Sequence, residues 1–228
     1  MKKRIVGLVI VVFTLLISSN VLAQPNIQYI KATDSKKEIL IRQGDKLLLD
    51  KQWYSTSFEI NPRNTIGKAV IKEVNREEYQ KAIDEIDFPL EKVGTYKIYF
   101  LDYRLKDYPT AQAVSFKDNS VVVFGTYYPL TKDKIHQLAI HELGHQVDFQ
   151  LMDQDKWLEY RQIRGITDVV VYNNASNNYE DRPQEIFAED FRILCGGELA
   201  SKTPHLNQRL QDPNKVLGLA EFFEKLAT

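Results

Sequence analysis

Five consecutive residues, His141-Glu142-Leu143-Gly144-His145, restrict the fold of this chain more than any other segment. They form the pattern His-Glu-x-x-His, although the whole chain has only four histidines. Residues four positions apart lie on the same face of an α-helix, so both imidazoles can reach one metal ion. Glu142 then lies beside that ion, where its carboxylate can take a proton from water. The pattern therefore predicts a helix with a catalytic zinc site, and the alternative is a helix with two surface histidines.

The first 23 residues have the features of an export signal. Residues 2–4 are all basic, Ile5–Ile17 is an uncharged run of 13 residues, and Val21-Leu22-Ala23 suits a signal peptidase. We predict that the mature chain begins at Gln24 and that the protein is secreted, to the extracellular space or the cell surface. The apolar run is too short for a stable membrane span, and the alternative is an uncleaved N-terminal anchor.

The charge and the cysteine content exclude several classes of protein. Without residues 1–23, the count of Lys and Arg falls from 30 to 27 against 31 Asp and Glu, a net charge of −4 with neutral histidines. Because a nucleic-acid-binding protein normally has a basic surface, we expect no nucleic-acid partner. Cys195 is the only cysteine, so no intrachain disulfide can form and the fold depends on its hydrophobic core. We expect a buried, inert thiol and a monomeric protein.

The N-terminal part of the mature chain is rich in predicted strands. Glu38–Arg42 and Lys46–Leu49 flank Gln43-Gly44-Asp45, which predicts a hairpin with glycine at the turn. Residues 53–60 favour a further strand, and residues 61–64 form a turn that is a candidate boundary. The mature length fits one domain with a small extension. We therefore assign 1–23 to the signal peptide, 24–72 to a β-rich region of unknown role, and 73–228 to a catalytic domain.

Hydrophobic periodicity and capping residues predict the elements of the catalytic domain. Thr131 is a suitable N-cap for the helix that carries His-Glu-x-x-His and runs to about Gln150. Asp181 is expected to cap a later helix, with Pro183 in the first turn and Gln184 in a capping-box position. The other expected elements are helices at 75–86, 157–163 and 217–226, strands at 95–101 and 119–126, and a polar loop at 173–178. Strands followed by helices define an α+β fold class.

A catalytic zinc site requires a third protein ligand besides the two histidines. Glu185 is the stronger candidate, because it lies early in a helix 40 residues after His145 and that helix can fold back onto the first. Glu189, one turn later, is expected to hold the imidazole of a ligand histidine, although both glutamates could instead lie on a solvated face. His205 is the other candidate ligand, with an exposed histidine as its simpler interpretation. Asp148 shares the face of the histidines and can orient an imidazole, brace the helix or lie on the surface.

Two segments resemble the catalytic domain shared by anthrax lethal factor and the secreted bacterial Pro-Pro endopeptidases. They are His141–Asp148 and Pro183–Phe191, with Tyr179 shortly before the second. The resemblance is clearest over residues 119–195. It implies a zincin-like metallopeptidase fold with one catalytic Zn2+ ion. In terms of residues, it implies zinc ligation by His141, His145 and Glu185, and a general base at Glu142.

The resemblance also implies a tyrosine that stabilises the oxyanion. In the family this tyrosine stands seven residues before the ligand glutamate, whereas Tyr179 stands six residues before Glu185 and Asn178 occupies the family position. A one-residue deletion in the preceding loop would leave Tyr179 in the equivalent place. Tyr172 is the alternative, and a loop tyrosine without a role is the remaining interpretation.

These features predict a secreted zinc endopeptidase that cleaves a protein or peptide substrate outside the cell. Zinc lowers the pKa of water, Glu142 takes the proton as the water attacks a peptide carbonyl, and zinc and Tyr179 hold the oxyanion. Val121–Phe124 favours a sheet edge that an extended peptide can join, or else a paired strand in the core. Two other functions stay open: a catalytically inactive zincin-fold protein for binding or surface recognition, and a structural or non-zinc metal site.

Overall fold

The computed structural model describes residues 29–33, 36–43, 46–49, 75–94, 96–101, 111–117, 121–125 and 130–228. The predicted export signal, the strand predicted at 53–60 and the candidate boundary at 61–64 lie outside the described residues. The described residues form a mixed structure of helices and strands, and this mixed content is confirmed. None of the helices in this part of the chain combines the length and the apolar composition needed to cross a bilayer.

Six strands form one mixed sheet among the described residues. They are β1 (Tyr29–Thr33), β2 (Lys36–Gln43), β3 (Lys46–Leu49), β4 (Lys97–Leu101), β5 (Ala113–Phe116) and β6 (Val121–Gly125), in the order β3-β2-β1-β4-β6-β5. β4 runs parallel to β1 and β6, and the other neighbouring strands are antiparallel. β2 and β3 form the predicted hairpin, with Gln43 opposite Lys46.

The prediction that Val121–Phe124 forms a sheet edge is wrong. β6 pairs with β4 on one side and with β5 on the other. β5 runs antiparallel to β6, with Phe116 opposite Val121, and is the end strand of the described sheet. Its sequence, Ala-Val-Ser-Phe, has only four residues, which is too short for hydrophobic alternation to reveal a strand.

Six α-helices lie among the described residues, and most of them were predicted. They are α1 (Arg76–Asp84), α2 (Lys132–Leu151), α3 (Gln154–Arg164), α4 (Pro183–Cys195), α5 (Glu198–Ser201) and α6 (Leu219–Leu226). The side chains of Asn75, Thr131 and Asp153 cap α1, α2 and α3 by accepting the backbone N–H of the residue three positions later. The helices predicted near 75–86, 131–150, 157–163 and 217–226 are confirmed, whereas the short α5 was not predicted.

The prediction that Asp181 caps α4 is wrong. Asp181 is the last residue of a 3-10 turn, and Arg182 occupies the N-cap position without a side-chain cap bond. The Asp181 carboxylate accepts hydrogen bonds from the side-chain amides of Asn178 and Asn207 and pairs with Arg209. Because these partners use its oxygens, the carboxylate does not reach the first N–H groups of α4.

The hydrophobic core surrounds α2, which contacts α1, α4, α5 and β5. Every residue from Ala139 to Asp148 is therefore buried, including both histidines of the motif. Cys195 is buried as expected, and burial raises the pKa of its thiol to about 12. Large apolar side chains from several elements contribute to the core, among them Ile98, Phe124, Ile140, Leu143, Tyr160, Phe187, Phe191, Phe222 and Phe223.

Gly144 allows α2 and α4 to meet at backbone distance. A Cβ atom added at this position would lie 2.8 Å from Cα and 3.1 Å from the carbonyl oxygen of Ala188. Real Cβ atoms do not approach other atoms so closely, so only glycine fits without a shift of one helix. This close approach brings the first turns of α4 next to the motif histidines on α2.

Candidate metal centre

The three predicted metal ligands meet where α2 and α4 touch. One potential ligand atom from each of His141, His145 and Glu185 lies within 4.8 Å of the others. Glu185 Oε2 lies 3.2 Å from His141 Nε2 and 3.4 Å from His145 Nε2. In a tetrahedral zinc site with bonds of about 2.0–2.1 Å, neighbouring ligand atoms lie about 3.3 Å apart. The three residues therefore form a group that could hold a metal ion, and the two distances to Glu185 are close to this value.

Glu189 makes the contact with a ligand histidine that its spacing suggests. Its Oε1 lies 2.9 Å from Nδ1 of His141, on the side of the ring away from Glu185. The Arg192 guanidinium contacts both carboxylate oxygens of Glu189, at 2.9 and 2.8 Å, and the Leu206 N–H donates to Oε2 at 2.9 Å. A carboxylate held this firmly fixes the ring orientation of His141 and directs Nε2 towards the metal position.

The charges of the site are strongly coupled. Burial lowers the pKa of His141, but hydrogen bonds to Glu185 and Glu189 outweigh burial and raise it to about 10. Burial works to raise the pKa of Glu185 and Glu189, but the histidines, and Arg192 for Glu189, hold both values well below the usual range. In the absence of a metal ion, a charged imidazole is therefore balanced by two carboxylates.

Glu142 lies beside the candidate metal ligands, and its carboxylate interacts with the charges of His141 and His145. It is buried, and its Oε2 has no hydrogen-bond partner among the described residues. Burial raises the pKa of Glu142 above its usual value, although the nearby His145 and His141 act in the opposite direction. The backbone carbonyl of Glu142 accepts a hydrogen bond from the Ser115 hydroxyl at 2.8 Å, which ties β5 to α2. A carboxylate with a raised pKa and a free oxygen is suited to accept and return a proton.

Tyr179 lies next to the candidate metal ligands and bonds to Glu185. It opens the 3-10 turn Tyr179–Asp181 that precedes α4, and 48% of its surface is exposed. Burial near its hydroxyl, the negative charge of Glu185 and a hydrogen bond to that carboxylate raise the pKa of Tyr179, so it remains a proton donor at neutral pH. Tyr172 instead packs against the hydrophobic core, and its carbonyl accepts a hydrogen bond from Arg161 at 2.6 Å. Of the two candidate tyrosines, Tyr179 is the one that contacts the site.

Two other sequence candidates have structural partners away from the metal ligands. Asp148 is buried and accepts a hydrogen bond from the Trp157 indole at 3.1 Å, so it braces α2 against α3. Burial raises the pKa of Asp148 to about 6. His205 is buried rather than exposed: its Nδ1 accepts the Asn207 N–H at 2.9 Å, and its Nε2 lies 3.3 Å from Asp190. His205 is not part of the metal-binding group.

Sequence reasoning missed residues that hold the site together, above all Arg192 and Ser115. Arg192 is fully buried, although it lies in the otherwise apolar stretch Phe191–Cys195. Arg192 lies three residues after Glu189, and this spacing brings opposite charges together on a helix. The sequence could therefore have predicted this ion pair. Ser115 has no such signal, because its partner is the backbone carbonyl of Glu142, 27 residues away.

Comparisons with known proteins do not assign the chain to a family. No protein-family model matches it, and searches of curated proteins and of solved structures give no significant match.

Proposed function

We propose that this protein is a secreted zinc endopeptidase with a zincin-like catalytic domain. The observation that carries the proposal is the convergence of His141, His145 and Glu185 on one point, beside the buried carboxylate of Glu142. The resemblance of the two helix segments to the lethal factor and Pro-Pro endopeptidase family supports the same function. The export signal predicted at residues 1–23 suits a peptidase that acts on proteins outside the cell.

The donor set favours zinc over other common metal ions. Two imidazole nitrogens and one carboxylate oxygen are the protein ligands of many catalytic zinc sites, whereas Mg2+ and Ca2+ prefer oxygen ligands alone. When bound, zinc supplies a Lewis acid that polarises a peptide carbonyl and lowers the pKa of water. The contact between Glu189 and His141 keeps one imidazole in the orientation that this ligand role requires.

The residues around the ligands supply the proton transfers and the charge stabilisation. Glu142 accepts a proton from the attacking water and passes it to the leaving amine, a role that its burial and raised pKa favour. Tyr179 donates a hydrogen bond to the carbonyl oxygen as negative charge develops there.

The test compares the mature protein with a Glu142→Gln variant, which keeps the size and removes the charge of the base. We expect the wild type to bind one zinc ion and to cleave an unstructured protein, with activity lost on chelation and restored by zinc. The variant should bind zinc equally well and lose at least a hundredfold in kcat, because general-base catalysis typically contributes about 10²–10⁴-fold. Glu221→Gln, an exposed glutamate on α6, is the matched control.

Two results would contradict the proposal. Zinc-loaded wild type that cleaves no unstructured protein would favour the non-catalytic binding function. Full activity of the Glu142→Gln variant would show that Glu142 does not act as the general base. Metal analysis of the purified protein decides between zinc and another ion.

A further inference from the structure

The segment His205–Arg209 contacts both sides of the candidate metal centre. On the side of the histidine ligands, the Leu206 N–H donates to Glu189 Oε2 at 2.9 Å. On the side of Tyr179, the Asn207 side-chain amide donates to the Glu180 carbonyl at 3.0 Å and to Asp181 Oδ1 at 2.8 Å. Two adjacent residues therefore connect the carboxylate that orients His141 with the turn that carries Tyr179.

Asn207 is built into this position with all its polar groups in use. Only 1% of its surface is exposed. Its backbone N–H donates to His205 Nδ1 at 2.9 Å, and its Oδ1 accepts the Arg209 N–H at 3.1 Å. These two contacts fix the direction of the amide nitrogen, whose two donated bonds both go to the turn Tyr179–Asp181.

The turn needs external support, because it has few bonds of its own. Its backbone contributes the bonds from Asp181 N–H to the Asn178 carbonyl and from Arg182 N–H to the Tyr179 carbonyl, at 3.0 and 3.1 Å. The Tyr179 side chain is almost half exposed, so local contacts and not core packing hold it in place. These contacts are the hydrogen bond to Glu185 and the Arg182 guanidinium, which lies 5.5 Å from the centre of the ring. Arg209, itself mostly exposed, adds an ion pair to the Asp181 carboxylate from outside.

The other end of the connection is also firmly held. Besides contacting Glu189, the Arg192 guanidinium donates to the backbone carbonyls of Ala200, Thr203 and Pro204, just before the His205–Arg209 segment. The segment and Glu189 are thus fixed to the same buried cation. The position of Asn207 relative to the histidine ligands is set by these bonds and not by a flexible loop.

We propose that Asn207 is a positioning residue that sets the distance between Tyr179 and the metal ligands. Its buried amide anchors the turn Tyr179–Asp181 to a segment that is itself bonded to Glu189. The inference rests on the proposed peptidase function, because the anchor serves to place the Tyr179 hydroxyl at the reacting carbonyl.

The test is Asn207→Asp, which keeps the shape and the acceptor for the Arg209 N–H. It replaces the amide donor by a carboxylate that faces the Glu180 carbonyl and the Asp181 carboxylate. We expect kcat to fall about tenfold or more through loss of two hydrogen bonds, with KM and zinc content nearly unchanged. Tyr179→Phe alone should lower kcat by about a hundredfold, as expected for the loss of one oxyanion donor. When Asn207→Asp is added to Tyr179→Phe, kcat should fall no further.

Two further variants serve as controls. Arg209→Gln weakens the same turn from its exposed side, so it tests the anchor even if Asn207→Asp prevents folding, and we expect about a threefold loss in kcat from one surface ion pair. Asn214→Asp makes the same chemical change at an exposed asparagine whose amide contacts Asp212, and it should leave kcat unchanged.

Hydrogen exchange in the metal-free protein supplies a measurement that does not depend on activity. Asn207→Asp should speed exchange at the amides of Asp181 and Arg182 and leave those of α2 unchanged. Three results would each overturn the inference. They are amide exchange in this turn that Asn207→Asp leaves at the wild-type rate, a wild-type kcat in the Asn207 and Arg209 variants, and a loss in kcat that adds fully to that of Tyr179→Phe. Failure of the proposed function would show in the wild type instead, as zinc-loaded protein without hydrolysis.

Discussion

At the scale of single residues, the two glutamates of α4 have different partners although they lie one helical turn apart. Glu185 faces Nε2 of both motif histidines, whereas Glu189 lies behind His141 and pairs with Arg192. The sequence predicted this pair, because residues four positions apart share a helix face. It could not predict the connection from Glu189 to the Leu206 N–H, because a backbone donor has no signature in a sequence.

This arrangement predicts that zinc binding releases a proton. Without metal, Glu185 and Glu189 raise the pKa of His141 to about 10 against the opposing effect of burial, so its imidazole is protonated at neutral pH. Zinc needs the Nε2 lone pair and must displace that proton. Below pH 10, zinc affinity should therefore rise with pH, by about tenfold per pH unit where one proton is released. Calorimetric titration in buffers of different ionisation enthalpy measures the proton count directly.

A matched variant checks the cause of this proton release. Glu189→Gln removes one of the two carboxylates that raise the pKa of His141, so fewer protons should be released at pH 7. Glu221→Gln on the exposed face of α6 should behave like the wild type. A binding enthalpy that is independent of the buffer would show that His141 is already neutral in the metal-free protein.

At the scale of secondary-structure elements, the site depends on how closely α2 and α4 approach. We predict that Gly144→Ala destabilises the protein by about 1–3 kcal/mol, as for overpacking of a core, despite the higher helix propensity of alanine. It should also weaken zinc binding, because the new methyl group pushes Glu185 away from the histidines. Chemical unfolding and chelator competition measure the two effects.

A double variant distinguishes a backbone clash from a side-chain clash. The added Cβ meets Cα and the carbonyl oxygen of Ala188 at 2.8 and 3.1 Å, closer than it meets the Ala188 Cβ at 3.3 Å. Ala188→Gly should therefore fail to rescue Gly144→Ala. Rescue would mean that side-chain crowding, and not helix spacing, limits this position.

The elements themselves were predictable to different degrees. Periodicity located α1, and periodicity together with the cap at Thr131 located α2, each within a few residues. β5 was missed because four residues are too few to show a hydrophobic pattern. β6 was assigned to the edge because the sequence of a strand does not reveal which strands pair with it. Asp181 was assigned to a cap because an aspartate at this distance from the helix is a suitable cap. Its carboxylate instead binds the tertiary partners Asn207 and Arg209.

At the scale of the whole molecule, the centre is assembled from segments far apart in the chain and is supported by the core that surrounds α2. α2 lies between α1, α4 and α5 and contacts β5, so the motif histidines are held by buried packing. The charges of the metal-free site are also paired, since His141 lies between two carboxylates and Arg192 neutralises Glu189. Neither feature requires a metal ion, and so the fold should form without one.

We therefore predict that metal removal lowers the thermal stability without unfolding the protein. Zinc that binds only the native state adds about 2.7 kcal/mol at a hundredfold excess over Kd, which corresponds to an increase in Tm of about 5–10 °C for a domain of this size. Thermal unfolding with zinc and with chelator measures the shift. Glu142→Gln should keep the full shift because Glu142 is not a ligand, whereas Glu185→Gln should lose most of it. An unfolded metal-free protein would instead make the ion a structural one, and an unchanged shift in Glu185→Gln would place the third ligand elsewhere.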